Sequence, residues 1–231
     1  MSLTKPKNGM FREFRGIKTI IDKVDVQMYR EILPKPIEPH ERPLISVFVA
    51  DYVKVFPWPM TMYQEGCVSL LCRYGGEEYW YVYTMPVTKL VPMWGGRKMG
   101  FPKYIADMIV LRRDDGKWTG EVMHNNGRIL SLSFSPGPDR EPREPEKILL
   151  NEKRFFFEKT INLYPPSKGP GVIITELVHK VKENWNPDYG MIKVNADKGG
   201  PLDGLFDKTE SYIGMYNEFT GGINLNPIKL C

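Results

Sequence analysis

Segments rich in β-branched and aromatic residues dominate the middle of the chain and predict β-strands. Residues 44–56 read LISVFVADYVKVF, and residues 61–74 and 79–90 have the same character. Prolines at 57 and 59 end the first of these segments. Three turn signals containing glycine separate the segments that follow, at residues 75–76, 114–116 and 125–127. The pattern therefore predicts an antiparallel meander.

One helix is predicted ahead of these strands. Residues 18–24 (KTIIDKV) read as a short strand, after which Asp25 is placed to cap a helix that runs to Leu33. Pro34 ends this helix. Residues 172–185 fit either a strand or a helix.

Two later segments are typical of irregular structure. Residues 136–147 (PGPDREPREPEK) hold four prolines and mostly charged side chains, which indicates a solvated surface connection. The segment from Asn195 onward is rich in glycine and reads as turns. The pattern predicts no regular element in either segment.

The composition is that of an ordinary globular protein. The chain has 231 residues, 42% of them hydrophobic and 26% charged, which fits a single domain spanning residues 1–231. A net charge of +4, with scattered basic residues, argues against a nucleic-acid-binding protein. No apolar run approaches a membrane span, and the N-terminus lacks the apolar stretch of a secretory signal. A cytoplasmic protein is therefore expected.

The cysteines and histidines do not predict a metal centre. Cys67, Cys72 and Cys231 are an odd number without metal-ligand spacing, and they fit reduced thiols. The three histidines lie far apart in the sequence, at positions 40, 124 and 179. Neither a metal site nor a Ser-His-Asp triad is expected.

The stretch from Pro92 to Asp107, PMWGGRKMGFPKYIAD, is the strongest candidate for a functional site. It has three glycines between apolar flanks and no Ser, Asn or Asp before Asp107, whereas a solvated loop would normally be rich in those residues. Pro102 stiffens the backbone in front of Lys103, and apolar residues follow the lysine. A solvated lysine has a pKa of ~10.4 and is protonated, whereas burial favours the neutral, nucleophilic amine. Lys103 is therefore a candidate nucleophile.

Glu65 is the candidate acid that accompanies the lysine. It lies in residues 61–71, TMYQEGCVSLL, which carry no other charge. In a strand Glu65 shares one face with Ser69, and a carboxylate on the inner face of a barrel would be either paired or functional. Arg15 and Arg97 could each hold a substrate carboxylate through two parallel hydrogen bonds. An ion pair or a surface position is the alternative for each of these residues.

These features together resemble the acetoacetate decarboxylases and their relatives. The similarity runs from about residue 11 to residue 110; it includes Arg15, the MYREILPKP helix exit, the YQEG motif of Glu65 and the GFPK sequence ending on Lys103. The resemblance implies a mainly β protein, an antiparallel β-barrel of the acetoacetate decarboxylase-like type with a few short helices. The barrel is expected to be closed or nearly closed and to house the lysine.

The resemblance implies that Lys103 forms a Schiff base with the substrate, with Glu65 and Arg15 as the other catalytic residues. Four further residues are expected to contact the substrate, namely Arg97, Tyr104, Met85 and Phe101. Two positions depart from the family. Tyr104 stands where the decarboxylases carry a second lysine, and a second acidic residue of their site falls near the apolar Phe48.

The expected function is a cofactor-independent lyase that decarboxylates a β-keto acid such as acetoacetate. A protonated imine on Lys103 accepts the electron pair released as carbon dioxide leaves, so neither a metal nor an organic cofactor is expected. Glu65 would position water or shuttle a proton. Two alternatives stay open: a Schiff-base aldolase or dehydratase acting on pyruvate-like keto acids, and a non-catalytic barrel that binds a small acid. The resemblance also implies a homo-oligomer.

Overall fold

The structure, a computed structural model, describes residues 11–55, 62–150, 157–163, 171–183 and 187–230. Within these ranges no helix has the length and apolar character needed to cross a membrane. The helices are α1 (Val26–Ile32), α2 (Leu90–Lys98) and α3 (Lys147–Leu150). The strands are β1 (Phe11–Ile21), β2 (Glu38–Pro39), β3 (Ile45–Val55), β4 (Tyr63–Tyr74), β5 (Glu77–Val87), β6 (Lys103–Ile105), β7 (Met108–Asp114), β8 (Lys117–His124), β9 (Gly127–Pro136), β10 (Phe157–Leu163), β11 (Val172–Glu183), β12 (Asp188–Asn195) and β13 (Ser211–Leu230).

The described strands form one sheet, part of which closes into a barrel. Seven strands pair in the order β1-β3-β4-β5-β10-β11-β13, and β13 pairs back onto β1. Closure leaves this ring without a free edge. Neighbours in the ring are antiparallel except β5 and β10, and β6 also runs parallel to β5. The predicted mainly β barrel is confirmed, and the two parallel pairs make the sheet mixed.

The remaining strands extend the sheet and fold it over the outside of the barrel. From β13 the order continues β12-β9-β8-β7, and β7 and β8 pack against β3. Gly120 permits this approach, because a Cβ atom there would lie 2.7 Å from Cβ of Val49. The main hydrophobic core lies between these two layers and includes Ile17, Val49, Leu70, Val122 and Leu132.

Successive side chains of a barrel strand point alternately to the main core and to the inner face of the barrel. In β3, Val49 points to the core, whereas Ala50 points into the barrel together with its cross-strand partners Gly16 and Glu65. Charged and polar residues of the inner face are therefore kept away from the main core.

The three predicted turns are confirmed, and they join β4 to β5, β7 to β8 and β8 to β9. Each turn contains residues with positive φ, as hairpin turns of this length require, namely Gly75, Gly76, Asp115, Gly116, Asn125 and Asn126.

The predicted α1 is also confirmed: the carboxylate of Asp25 accepts a hydrogen bond from the backbone N–H of Met28 at 2.8 Å.

Several segments differ from the sequence prediction. β1 begins at Phe11 rather than at residue 18, because it pairs along its length with β3. The ambiguous residues 172–183 form a strand, and the glycine-rich C-terminal segment contains the long strand β13. Both depend on pairing with distant strands, which local composition does not reveal. The prolines at 57 and 59 lie outside the described residues.

Two segments for which no element was predicted contain ordered structure. The apolar stretch before Lys103 is the helix α2 over much of its length. In the proline-rich segment, Glu146 is fully buried rather than solvated, because it accepts hydrogen bonds from Arg140 and from the backbone N–H of Ile213. That carboxylate ties the segment to β13.

Candidate active site

Lys103 begins the short strand β6, which places it beside Met85 of β5. Its backbone carbonyl accepts a hydrogen bond from Nε of Arg97 at 2.5 Å, so α2 holds the other side of this strand. The lysine side chain passes over Gly96, where a Cβ atom would lie 2.4 Å from Cδ of the lysine. The packing of the lysine stem therefore explains the glycine at position 96.

The amine of Lys103 contacts Glu65 inside the protein. Its Nζ donates to Oε2 of Glu65, and the two side chains are 9% and 4% exposed. The hydroxyl of Tyr52 donates to the other carboxylate oxygen, Oε1, at 3.2 Å. Glu65 is therefore held between an amine and a phenol, which suits it to exchange a proton with the amine.

Three aromatic rings enclose this pair. The rings of Tyr52 and Tyr63 stack at 4.6 Å, and Phe14 meets Tyr52 edge-on at 5.2 Å. The Nζ of Lys103 lies 5.8 Å from the centre of the Tyr63 ring. Burial, reinforced by the charge of Glu65, raises the pKa of both tyrosines well above the usual range. Tyr52 therefore stays protonated and acts as a donor to Glu65.

A cavity of ≈ 90 Å³ opens on the inner face of the barrel beside Glu65. Since one water needs about 10–15 Å³, this space accommodates a small organic molecule. Its charged lining residues are Glu65 and Lys18, and Asn217 adds a buried amide. Much of the wall is apolar, formed by Phe14, Phe48, Trp80, Val82, Met85, Phe101 and Met215. An apolar wall with a few polar groups is typical of a small-molecule site.

The structure brings together four of the seven site residues predicted from the sequence. Lys103 and Glu65 are in contact, and Met85 and Phe101 line the cavity beside them. Phe48, near which the resemblance implies an acid, lines the cavity as an apolar residue.

The other three predicted residues lie elsewhere. Arg15 is on the outer face of β1, where its Nε and Nη2 each lie 2.8 Å from Oδ2 of Asp51. Tyr104 follows Lys103 in a strand and so points to the opposite face, where its hydroxyl accepts a hydrogen bond from Thr84. Arg97 is exposed and binds the backbone of Lys103. The lining of the described cavity includes none of Arg15, Arg97 and Tyr104, and Lys103 borders the cavity only through its contact with Glu65.

Sequence reasoning missed four residues of this region: Tyr52, Tyr63, Lys18 and Asn217. The two-residue period of β3 places Tyr52 on the same face as Phe48, so a known strand register would have found Tyr52 and its partner Tyr63. Lys18 and Asn217 lie near opposite ends of the chain. They meet at the cavity because the first and last strands pair, which no local pattern reveals.

The fold and the site together define the class of this protein: a β-barrel with an internal cavity and a buried lysine–glutamate pair beside it. The model of the family described as Acetoacetate decarboxylase (ADC) matches residues 15–186. The chain therefore belongs to the acetoacetate decarboxylase family, which is a family of enzymes. No curated protein matches the chain.

Solved structures share this fold over nearly the whole chain. An acetoacetate decarboxylase has a TM-score of 0.70 at 13% identity, covering 96% of this chain and 90% of that chain. The acetoacetate decarboxylase from Legionella pneumophila has a TM-score of 0.68 at 20% identity, covering 96% and 88%. The enduracididine biosynthesis enzyme MppR, complexed with the condensation product of pyruvate and imidazole 4-carboxaldehyde, has a TM-score of 0.65 at 17% identity, covering 96% and 90%.

Proposed function

We propose that the protein is a cofactor-independent lyase that uses Lys103 as a Schiff-base nucleophile and decarboxylates a small β-keto acid such as acetoacetate. The product would be a ketone, acetone in the case of acetoacetate, together with carbon dioxide. The observation that carries this proposal is the buried contact between Nζ of Lys103 and Glu65, which itself lines the cavity. Membership of the acetoacetate decarboxylase family supports the reaction type.

The pair offers a route to the neutral amine. Attack on a ketone requires an unprotonated Nζ. Transfer of one proton from the ammonium to Oε2 of Glu65 yields an amine and a carboxylic acid, so no isolated charge remains in apolar surroundings. Tyr52 stays hydrogen-bonded to the other oxygen throughout. Glu65 is therefore the proposed general base for Lys103.

The proposed reaction then proceeds through an imine and an enamine on Lys103. The amine of Lys103 adds to the ketone carbon and water leaves, which produces a protonated imine. The bond to the carboxylate carbon then breaks, carbon dioxide departs, and the electron pair forms an enamine. Glu65 has given its proton to the departing water, so it takes up a proton from solvent and delivers that proton to the enamine carbon; water then hydrolyses the imine to release the ketone.

Lys18 is the proposed partner of the substrate carboxylate. It is the cationic side chain among the described residues that line the cavity, whereas Arg15 and Arg97 face away from it. Its neighbours in adjacent strands, Phe48 and Met215, are apolar. A charge–charge interaction is strengthened in such surroundings, so Lys18 would orient the carboxylate relative to the imine.

Aldolase or dehydratase chemistry on pyruvate-like keto acids is the second candidate, because it requires the same lysine and acid. The fold shared with MppR supports it, since that structure contains a condensation product of pyruvate and an aldehyde. The two candidates differ in whether carbon dioxide leaves before the enamine forms.

Borohydride trapping tests the proposal. The protein is incubated with acetoacetate or pyruvate and reduced, and its intact mass is measured together with carbon dioxide release. An adduct with carbon dioxide release supports the decarboxylase, and an adduct without release supports the aldolase or dehydratase. A folded protein that forms no adduct with either acid would favour the non-catalytic barrel.

Two variants identify the reacting amine. Lys103→Met is combined with Glu65→Gln so that no charge is buried alone, and this double variant is expected to form no adduct. Lys98→Met removes an exposed lysine of α2 and serves as the matched control, with trapping unchanged.

A further inference from the structure

Asn217 is a buried polar residue of the cavity that the proposed reaction does not use. It lies in β13, is 3% exposed and lines the cavity. Neither atom of its amide group has a hydrogen-bond partner among the described residues. Because both atoms lack a partner, the observation holds whichever way the amide is turned. A buried amide in this state is unfavourable, so its presence calls for an explanation.

Packing alone does not explain this amide. Asn162, which is also buried in a barrel strand, donates from Nδ2 to the carbonyl of Val82 at 2.8 Å. Thr160, which lines the same cavity, donates to the carbonyl of Thr175 at 3.2 Å. An apolar residue would fit at position 217 without the loss of a described hydrogen bond. A ligand in the cavity is therefore the natural partner for the amide.

Asn217 faces Glu65 across the barrel. Asn217 is the cross-strand partner of Gly16, Gly16 of Ala50, and Ala50 of Glu65. Around the seven-strand ring, β13 and β4 are three steps apart in one direction and four in the other, the greatest separation that this ring allows. Glu65 and Asn217 line the same cavity, which therefore reaches both walls. A substrate attached at the Glu65 wall therefore extends toward Asn217.

We propose that Asn217 determines specificity by binding a hydroxyl group on the carbon chain of the substrate, remote from the reacting carbonyl. This inference rests on the proposed Schiff-base function of Lys103. The amide oxygen accepts the hydroxyl proton, and the amide nitrogen donates to a neighbouring oxygen of the same molecule. The preferred substrate is therefore a hydroxylated keto acid, whereas an unsubstituted alkyl chain leaves the buried amide unpaired.

Two β-keto acids of equal chain length test this inference: 5-hydroxy-3-oxopentanoate and 3-oxopentanoate. The rate of adduct formation under borohydride is measured for each at limiting concentration. We expect the hydroxylated acid to react at least about tenfold faster, as is typical when a buried polar group gains its partner. Asn217→Leu, which keeps a similar size, is expected to remove this preference. Met215→Leu changes an apolar cavity residue of the same strand and is expected to retain it.

Thermal unfolding separates a binding role from a structural one. Asn217→Leu is expected to leave Tm unchanged or raise it, because it replaces an unpaired amide. The ratio of the two rates is internal to each variant, so partial unfolding does not alter it. Equal rates for both acids in the wild type, or a lower Tm with an unchanged ratio in the variant, would overturn the inference and leave the proposed function standing. No adduct with any keto acid would overturn the proposed function and this inference together.

Discussion

At the wall of the cavity, Glu65 accepts hydrogen bonds from two side chains, Lys103 and Tyr52. Tyr52 holds one carboxylate oxygen and thereby turns the other toward the amine. Tyr52→Phe is expected to fold and to slow adduct formation by at least about tenfold, since a hydrogen bond to a charged group contributes roughly 1.5–3 kcal/mol. The trapping rate measures this effect. Tyr63→Phe is the control, because it removes a neighbouring hydroxyl and keeps the stacked ring; equal loss in both variants would argue against an orienting role for Tyr52.

The sequence could single out Lys103 and Glu65 because each lies in a recognisable motif, and the structure brings the two into contact. It could not place Tyr104, because its direction depends on whether residues 103–105 form a strand. That strand is only three residues long and exists because it pairs with β5. The direction of Arg15 is hidden for a related reason: a shift of one residue along β1 exchanges the inner face for the outer face.

At the scale of elements, α2 positions the lysine through the glycine at 96. Gly96→Ala is expected to fold, because alanine favours a helix and the lysine stem can move aside. The added Cβ atom would displace the stem of Lys103 and with it the amine from Glu65. We expect adduct formation to slow by at least about tenfold, the equivalent of ~1.4 kcal/mol.

Gly95→Ala is the matched control for this change. A Cβ atom at Gly95 meets no heavy atom within 4 Å, so only the helix propensity changes. Trapping at the wild-type rate is expected for Gly95→Ala. If Gly96→Ala also trapped substrate at that rate, the glycine would have no role in placing the lysine.

The buried carboxylate of Glu146 makes stability depend on pH. Burial alone would raise its pKa, but hydrogen bonds from Arg140, from the backbone N–H groups of Ile213 and Arg143, and from the Arg143 side chain outweigh burial and lower the pKa from 4.5 to about 2. Because the folded-state pKa is the lower one, this group stabilises the fold above pH ~4.5, and the contribution is lost as the pH falls toward ~2. The shift corresponds to about 3 kcal/mol at neutral pH.

Glu146→Gln is therefore expected to lower the free energy of unfolding at pH 7 by about 3 kcal/mol, with the difference from wild type vanishing near pH 2. Denaturant unfolding at pH 7 and at pH 3 measures this. Glu144→Gln changes an exposed carboxylate and is expected to have little effect at either pH. A constant difference across this range would show that ionisation of Glu146 is not the cause.

The hairpin turns and the helix α1 could be predicted from short stretches of sequence, because residues close together in the chain determine them. The glycine-containing hairpin turns and the capped helix α1 are set by positive φ values and by the Asp25 side chain. The strand β13 has no such signal, because Gly214 and its neighbours are stabilised by pairing with β1 and β12 on either side.

For the whole molecule, the pairing of β1 with β13 closes the ring and joins distant parts of the chain. The single domain stays a prediction, and one cooperative unfolding transition is expected from it. Tryptophan fluorescence reports on both layers, since Trp80 lines the cavity and Trp118 lies in the main core. Its unfolding curve should coincide with that from far-UV circular dichroism. Two separate transitions would show that the layers unfold independently.

The fold class could be predicted from strand character, but the closure of the ring could not be derived from residue patterns. Closure brings Lys18 and Asn217 to the cavity, so two of the polar residues that line it depend on the long-range pairing of β1 with β13. The predicted homo-oligomer stays a prediction.

The most direct test of this account is to locate the trapped group on the chain. After reduction with borohydride in the presence of acetoacetate, the protein is digested and the modified peptide is fragmented. The account predicts one modified residue, Lys103, with the exposed Lys98 of the same region unmodified. Modification of Lys18 instead, or scattered modification of exposed lysines, would contradict the assignment of Lys103 as the nucleophile.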